Sequence, residues 1–291
     1  MKEIAIVSGK GGAGKTSITA ALASLASNAV FCDNDVDAAD LHLIFQPSIQ
    51  EIHAFNSGSF AKIDPEKCTK CGLCESSCRF DAIHTNTDSF PEVNPFQCEG
   101  CRLCARICPA EAISVTENFN NQWFVSDTRF GKMVHAKMGP GEDNSGHLVT
   151  HIRERAKEIA RSAKADFLLN DGPPGIGCAA IASITGTDVV LLVIEPTVSG
   201  LHDARRLKKL VDSFKIPMFA VINKCDINPE MTSVVEDFLQ KNGIRLLGKI
   251  PFDRLMVESM VHSQTMMEYA AESETGKELQ HIWRKLNEKV Q

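Results

Sequence analysis

Two sets of residues in this 291-residue chain could carry chemistry. The first is a glycine-rich run from Gly9 to Thr16, GKGGAGKT, whose G-x4-G-K-T spacing is typical of a phosphate-binding loop. The second is a set of cysteines in two consecutive C-x2-C-x2-C-x3-C runs. Its members are Cys68, Cys71, Cys74, Cys78, Cys98, Cys101, Cys104 and Cys108. Closely spaced thiolates bind metal ions or iron–sulfur clusters, so the sequence indicates a nucleotide site and a metal site in one chain.

The glycine-rich run has the flanks that a phosphate site needs. An apolar strand is predicted over 4–8 and a helix over 16–27. Glycines let successive backbone N–H groups face the phosphates, and the N-terminus of the following helix favours an anion. We expect Lys15 to reach the β- and γ-phosphates and the Thr16 hydroxyl to bind Mg²⁺. A glycine-rich turn without a ligand is the alternative, which the strand–loop–helix context disfavours.

The composition narrows the function classes. A net charge of −6 and a pI near 5.9 argue against a general affinity for nucleic acid, which needs a basic surface. No apolar run approaches the ~18 residues of a membrane span, and the first apolar segment reads as a core strand, not a signal peptide. With 11 cysteines and no export signal, metal binding in a reducing compartment is favoured over disulfides. We expect a cytoplasmic protein without nucleic-acid partners, for which membrane contact is not favoured.

The elements that must position both sites follow from the apolar pattern. Apolar runs predict strands over 4–8, 29–33, 166–170, 189–194, 218–223 and 245–249. Helical stretches alternate with them over 16–27, 148–164, 177–186, 200–214, 229–242 and 276–289. This alternation predicts the α/β class, with a mostly parallel sheet and helices on both of its faces.

The cysteine-rich middle of the chain interrupts this alternation. The stretches over 63–83 and 93–113 are two copies of one unit, which suggests a pseudo-symmetric module. We therefore predict an α+β insert over 60–117 within a discontinuous P-loop domain over 1–59 and 118–291. After the insert, alternating residues over 122–138 predict a hairpin, and a glycine-rich stretch over 139–146 predicts a loop.

The spacing of the cysteines favours iron–sulfur clusters over zinc. Paired C-x2-C units also make zinc sites, but three evenly spaced cysteines, repeated twice, fit the corners of a cubane better. The run resembles that of bacterial ferredoxins, in which the fourth cysteine binds the other cluster. The resemblance implies two [4Fe-4S] clusters in a ferredoxin-like insert. One would use Cys68, Cys71, Cys74 and Cys108, and the other Cys98, Cys101, Cys104 and Cys78.

One position departs from the ferredoxin pattern. Cys108 is followed by Pro109, as the pattern asks, whereas Cys78 is followed by Arg79. The missing proline leaves the exposure of the second cluster open but not its ligation. The positive charge of Arg79 is expected to raise the reduction potential of that cluster.

Lys10, directly after the first glycine, resembles the deviant loop of the MinD/ParA/nitrogenase iron-protein group of P-loop ATPases. In that group this lysine reaches across a dimer to the partner's nucleotide. The resemblance implies an ATP-dependent sandwich dimer in which Lys10 and Lys15 are catalytic. A solvated loop charge is the alternative for Lys10.

The same resemblance extends to the strand ends. Asp35, with Asp33 and Asp37 beside it, resembles the first switch, and would orient the attacking water. Asp171 resembles the second switch and would bind Mg²⁺ through water. Nucleotide contacts are implied for Gly11, Gly12, Ala13, Gly14, Lys15, Thr16, Ser17, Asn223, Asp226 and Pro251, with Asn223 at the adenine. A carboxylate-rich strand end and a plain strand end remain the alternatives for the aspartates and for Pro251.

The whole chain thus resembles MinD-superfamily ATPases with an inserted ferredoxin domain. The resemblance implies ATP, Mg²⁺ and two [4Fe-4S] clusters as cofactors, and a homodimer or a heterodimer with a paralogous ATPase. Three functions compete. The first is an ATPase of metallocofactor or iron–sulfur maturation that passes electrons, metal or a cluster to a client metalloprotein. The others are an ATP-dependent electron donor like the nitrogenase iron protein, serving an electron acceptor, and a spatial regulator like MinD.

Two further features have competing interpretations. The apolar stripe of the last predicted helix, with Arg284, Lys285 and Lys289 nearby, could bind a membrane surface, but docking on the sheet is favoured. Cys178, just past the second switch, could be a small buried side chain or a thiol near a dimer interface that accepts a guest metal.

Overall fold

The structure of the chain, a computed structural model, describes residues 1–139 and 145–290. The described residues form two compact units. Residues 1–52, 123–137 and 145–290 form the first unit, and residues 53–122 with 138 and 139 form the second. The second unit is wider than the predicted insert over 60–117, whose boundaries stay a prediction. Of the loop predicted over 139–146, residues 140–144 lie outside the described residues, and a helix already begins at Ser145.

The strands and helices of the described residues are as follows. The strands are β1 (Lys2–Ser8), β2 (Ala29–Asp33), β3 (Ser48–Phe55), β4 (Gly58–Ile63), β5 (Ile83–Thr85), β6 (Pro91–Val93), β7 (Ile113–Asn118), β8 (Asn121–Thr128), β9 (Gly131–Lys137), β10 (Phe167–Pro174), β11 (Val189–Ile194), β12 (Met218–Asn223) and β13 (Arg245–Ile250). The helices are α1 (Lys15–Leu25), α2 (Leu41–Phe45), α3 (Leu73–Ser76), α4 (Leu103–Ile107), α5 (Ser145–Ser162), α6 (Cys178–Ile184), α7 (Val198–Ser213), α8 (Pro229–Lys241), α9 (Arg254–Val261), α10 (Met266–Ala270) and α11 (Glu274–Val290).

The main sheet has nine strands in the order β13-β12-β11-β1-β10-β2-β9-β8-β3. Six neighbouring pairs, from β13 to β9, are parallel. The central strand β1 is buried on both faces, and its residues Ile4 to Val7 are fully inaccessible to solvent. The predicted α/β class, its mostly parallel sheet and all six predicted strands are confirmed.

Helices cover both faces of this sheet. One hydrophobic core joins α1 and α11 to the sheet, and the other joins α6, α7 and α8 to it. The apolar stripe of α11 is buried in the first core through Leu279, Ile282, Trp283, Leu286 and Val290. Docking of the terminal helix on the sheet is therefore confirmed, and the stripe is not available to a membrane surface.

Four elements outside the predicted insert are absent from the predicted pattern. These are α2, β3, α9 and α10. Both α2 and α10 contain only five residues, too few for a helical period to show. Strand β3 lies at the edge of the sheet and exposes Ile49 and Ile52, so it lacks the buried face that alternating polarity would reveal. The predicted hairpin over 122–138 is present as β8 and β9, joined by Arg129 and Phe130.

The second unit contains two small antiparallel sheets, β4 with β7 and β5 with β6. Each cysteine run passes through a left-handed residue into a short helix. Gly72 has φ of 72° before α3, and Arg102 has φ of 64° before α4. The duplicated sequence thus forms the same turn twice.

A buried histidine lies on the hairpin of the first unit. The Nε2 atom of His135 is 2.9 Å from the Ser126 hydroxyl, and the ring stacks on Phe124 with 5.0 Å between centroids. Burial, with a smaller contribution from the neighbouring His42, lowers the pKa of His135 to about 4. The folded protein therefore holds this imidazole neutral where the unfolded chain would protonate it.

We expect the free energy of unfolding to fall as the pH drops below 6.5, because only the unfolded chain then takes up a proton at His135. Between pH 7.5 and pH 5 this one group should account for a loss of roughly 2 kcal/mol. Urea unfolding of the wild type and of His135→Gln, which keeps a polar group for Ser126 but does not titrate, measures it. Equal pH dependence in the two proteins would contradict the assignment.

Candidate active site

The phosphate-binding loop is shaped by two left-handed glycines. Gly12 has φ of 81° and Gly14 has φ of 85°, a region that side chains with a Cβ rarely adopt. A Cβ on Gly14 would also lie 2.2 Å from the Nδ2 atom of Asn223. The loop then enters α1 at Lys15, so the N-terminus of the helix, which favours an anion, directly follows the loop.

The loop faces an open cleft of about 570 Å³, a volume within the usual range for small-molecule sites. Four segments of the first unit line it besides the loop. They contribute Asp35, Asp37, Ala38 and Asp40 after β2, Ser145 at the start of α5, Pro173, Pro174, Gly177, Cys178, Ala179 and Ala180 around α6, and Met260 of α9. Of the predicted nucleotide contacts, the loop residues from Gly11 to Ser17 line this cleft.

A buried ion pair lies at the base of the cleft. The Nζ atom of Lys15 is 3.0 Å from Asp171 Oδ1 and 3.5 Å from Asp35 Oδ2. Burial alone would lower the pKa of the Lys15 ammonium, but the carboxylates of Asp171 and Asp35 outweigh it and raise the pKa. The lysine is thus held charged where it could receive a phosphate.

Two threonine hydroxyl groups also donate hydrogen bonds to the Asp171 carboxylate. The Thr16 hydroxyl donates to Oδ2 and the Thr19 hydroxyl to Oδ1, each at 2.8 Å. Thr19 was not predicted, although it lies one helical turn after Lys15 and so shares its face. Mg²⁺ prefers hard oxygen ligands, often one or two carboxylates together with substrate phosphates. Thr16 and Asp171 offer such a set, so the residues present fit the predicted Mg²⁺.

The segment after β2, predicted as the first switch, is organised by Asp33, which is fully buried. Its carboxylate accepts hydrogen bonds from the backbone N–H groups of Asp35 and Leu41, each at 3.2 Å. Burial raises the pKa of Asp33 well above its usual range, and the charge of Asp171 on the neighbouring strand adds to the effect. Burial also raises the pKa of Asp35, although Lys15 opposes it. Asp33 therefore shapes the segment, whereas Asp35 faces the cleft.

The residues predicted around the base do not line the cleft. Asn223 is buried, and its Nδ2 donates to the carbonyl oxygen of Ala13 at 2.8 Å. Asp226 is exposed, and its Oδ1 accepts from the backbone N–H of Phe252 at 2.6 Å. That contact joins the segments after β12 and β13, and Pro251 belongs to the second of them. Adenine contacts by these residues stay a prediction.

Lys10 and Cys178 are both exposed. The backbone carbonyl of Lys10 accepts a hydrogen bond from the Ser8 hydroxyl at 2.9 Å, which fixes the backbone of the loop and leaves the amine in solvent. Cys178 begins α6 and lines the cleft. The cross-dimer role of Lys10 and a guest metal at Cys178 stay predictions.

In the second unit, four cysteines share one cavity. They are Cys78, Cys98, Cys101 and Cys104, which form the crossed set predicted for the second cluster. The sulfur atoms of Cys98 and Cys78 accept hydrogen bonds from the backbone N–H groups of Ala61 and Ala82, each at 3.4 Å. Cys68 and Cys108 of the other set accept backbone N–H groups at the same distance.

Burial raises the pKa of the Cys74 and Cys104 thiols, and neighbouring cysteines contribute in the same direction. Among residues 1–139 and 145–290, no three His, Cys, Asp or Glu side chains are placed to hold one metal ion. The two [4Fe-4S] clusters therefore stay a prediction. No helix in the described part of the chain is long and apolar enough to cross a membrane.

Comparison with known proteins decides the family. The model of the CbiA family, described as the CobQ/CobB/MinD/ParA nucleotide binding domain, matches residues 4–266. The chain belongs to this family. MinD from Pyrococcus horikoshii, solved with Mg-ADP, superposes with a TM-score of 0.60 over 98% of this chain and 96% of its own at 18% identity. At that identity the likeness shows the shared fold of MinD/ParA P-loop proteins.

Two sequence relatives of this CbiA-family chain cover most of its length. An uncharacterized protein of Methanocaldococcus jannaschii is 36% identical over 229 residues, 78% of this chain and 79% of its own. An iron-sulfur cluster carrier protein of Pyrococcus horikoshii is 24% identical over 275 residues, 86% of this chain and 74% of its own.

We expect Asp171→Asn to weaken binding of Mg-ADP roughly tenfold or more, because the amide removes the charge that would hold the cation. Without Mg²⁺ the variant should bind ADP no worse than the wild type, since Lys15 is then freed for the phosphates. Isothermal titration calorimetry with and without Mg²⁺ measures both values. Asp166→Asn is the matched control, because Asp166 is exposed just before the same strand. Equal Mg²⁺ dependence in Asp171→Asn and wild type would refute the assignment.

Proposed function

We propose that this CbiA-family protein hydrolyses ATP with Mg²⁺ and uses the resulting dimer switching to transfer electrons, metal or a cluster to a client metalloprotein. The observation that carries the proposal is that Asp171 and Asp35 both pair with Lys15 at the cleft, while Thr16 donates a hydrogen bond to Asp171. Iron–sulfur or metallocofactor maturation is the process that this combination serves best.

The chemistry requires positioning more than covalent groups. The reaction is ATP + H2O → ADP + phosphate. Lys15 exchanges Asp171 for the β- and γ-phosphates, and the loop N–H groups bind the same oxygens. Thr16 and Asp171 would hold Mg²⁺, which when bound neutralises charge on the phosphates. Asp35 orients the attacking water from the cleft wall, and its raised pKa favours accepting a proton.

The second unit supplies the other half of the proposal. Eight cysteines in the ferredoxin spacing support two [4Fe-4S] clusters, and the shared cavity of Cys78, Cys98, Cys101 and Cys104 supports the crossed ligand set. When bound, such clusters exchange single electrons. The similarity to a protein named as an iron-sulfur cluster carrier supports a role in cluster or metal transfer.

Electron delivery in the manner of the nitrogenase iron protein is the second candidate, and the same cysteine set favours it. The two candidates differ in what leaves the protein, iron or electrons. Spatial regulation like that of MinD has less support, because the stripe of α11 that could have met a membrane is buried.

The Lys10→Ala variant should lose both ATP-dependent dimerisation and hydrolysis, because its exposed amine is the group proposed to reach the partner's nucleotide. Light scattering and phosphate release measure the two losses, and the iron content should not change. Lys2→Ala is the control, since Lys2 begins β1 away from the glycine loop. Hydrolysis at the wild-type rate in Lys10→Ala would reject the cross-dimer role.

Anaerobically purified protein should contain about eight irons per chain, as two [4Fe-4S] clusters require. Its reduced electron paramagnetic resonance spectrum should change when ATP and Mg²⁺ are added, because the proposal couples the two sites. A chain with iron but with a spectrum indifferent to nucleotide would reject the coupling. If the bound iron can be neither reduced nor oxidised, with or without ATP, the electron-delivery candidate is rejected.

A further inference from the structure

A second lysine contacts the phosphate-binding loop from its carbonyl side. The Nζ atom of Lys224, the residue after β12, donates to the carbonyl oxygen of Gly12 at 3.1 Å. The neighbouring Asn223 donates to the carbonyl oxygen of Ala13. Two consecutive peptide groups of the loop therefore have their oxygens bound by side chains from one short segment.

The Lys224 amine is itself held in place. Its Nζ atom lies 3.5 Å from Glu195 Oε1, at the end of the adjacent strand β11. Both side chains are about three-quarters buried, with exposed fractions of 26% and 21%. A partly buried, ion-paired amine loses less rotamer freedom on contacting the loop than a free surface lysine would.

The backbone of Lys224 adds a second, independent observation. Its φ is 57°, in the left-handed region that glycine and asparagine adopt more easily than lysine. This strained backbone conformation occurs at the residue whose side chain contacts Gly12. A lysine is therefore present where the backbone alone would favour glycine.

These contacts act on the atoms that would meet a phosphate. A peptide whose carbonyl oxygen accepts a bond from a cation becomes a stronger donor at its N–H, because hydrogen bonds polarise one another. The carbonyl of Gly12 shares its peptide with the N–H of Ala13, and the carbonyl of Ala13 shares its peptide with the N–H of Gly14. Hydrogen bonds from Lys224 and Asn223 to these two carbonyl oxygens therefore fix and polarise the N–H groups of Ala13 and Gly14.

We propose that Lys224, held by Glu195, is a positioning residue for phosphate binding that acts through the Gly12–Ala13 peptide without touching the nucleotide. The inference rests on the proposed function only in taking a polyphosphate as the ligand. Lys224 lies 212 residues from Gly12 in the chain, so the glycine-loop pattern does not include it.

The test uses the full chain with ADP and with inorganic pyrophosphate, both in Mg²⁺. Lys224→Met should weaken both ligands about tenfold, the loss expected for one charge-assisted hydrogen bond. Lys224→Gly should show the same loss while relieving the backbone strain, so its melting temperature should not fall with its affinity. Lys224→Arg, which keeps a cationic donor, should recover part of the affinity, and Glu195→Gln should lose less than Lys224→Met.

Lys249→Met is the matched control. Lys249 also forms an ion pair, with 2.8 Å between its Nζ atom and Glu236 Oε1, but its partner is on α8 and not in the glycine loop. Wild-type affinity in Lys224→Met and Lys224→Gly would overturn the inference. A loss for ADP but not for pyrophosphate would also overturn it, since Lys224 would then act on the base or ribose. Failure of the wild type to bind either ligand would instead reject the proposed function.

Discussion

The ion pair between Lys15 and Asp171 joins the first residue of α1 to a strand beside β1, and the nucleotide site is assembled around it. Both side chains are buried, and a buried charge without a partner is costly. Thr16, Thr19 and Asp35 bind or approach the same two groups. The start of α1, strand β10 and the segment after β2 are thus held in one arrangement.

The cysteine runs of the second unit are shaped by local turns, whereas the cleft of the first unit depends on an ion pair between residues distant in the chain. Each cysteine loop is turned by left-handed residues, Lys70 and Gly72 in one repeat and Gly100 and Arg102 in the other. A turn of this kind brings three thiols of one repeat together within a few residues. Cys78 of the first repeat lines the same cavity as Cys98, Cys101 and Cys104 of the second. Pairing of the two repeats therefore brings four thiols to one cavity.

The sequence predicts what depends on short-range pattern. Buried parallel strands are continuous apolar runs, so all six could be located, and fixed spacing identifies the phosphate-binding loop. Short or edge elements such as α2 and β3 leave no comparable pattern. Roles that depend on tertiary contact were also missed. Thr19 and Lys224 acquire theirs only when Asp171 and Gly12 are placed beside them, and Asn223 holds the loop as well as ending a strand.

The contacts of the loop also constrain the order in which the protein can form. Ala13 lies 210 residues from Asn223, and Lys15 lies 156 residues from Asp171. Contacts so distant in sequence close late, because loop entropy must be overcome first. During synthesis the cysteine repeats emerge long before β12, at a time when the glycine loop still lacks its supports. The glycine loop can therefore reach its supported form only after the C-terminal half of the sheet has been made, so its final shape is a late product of folding.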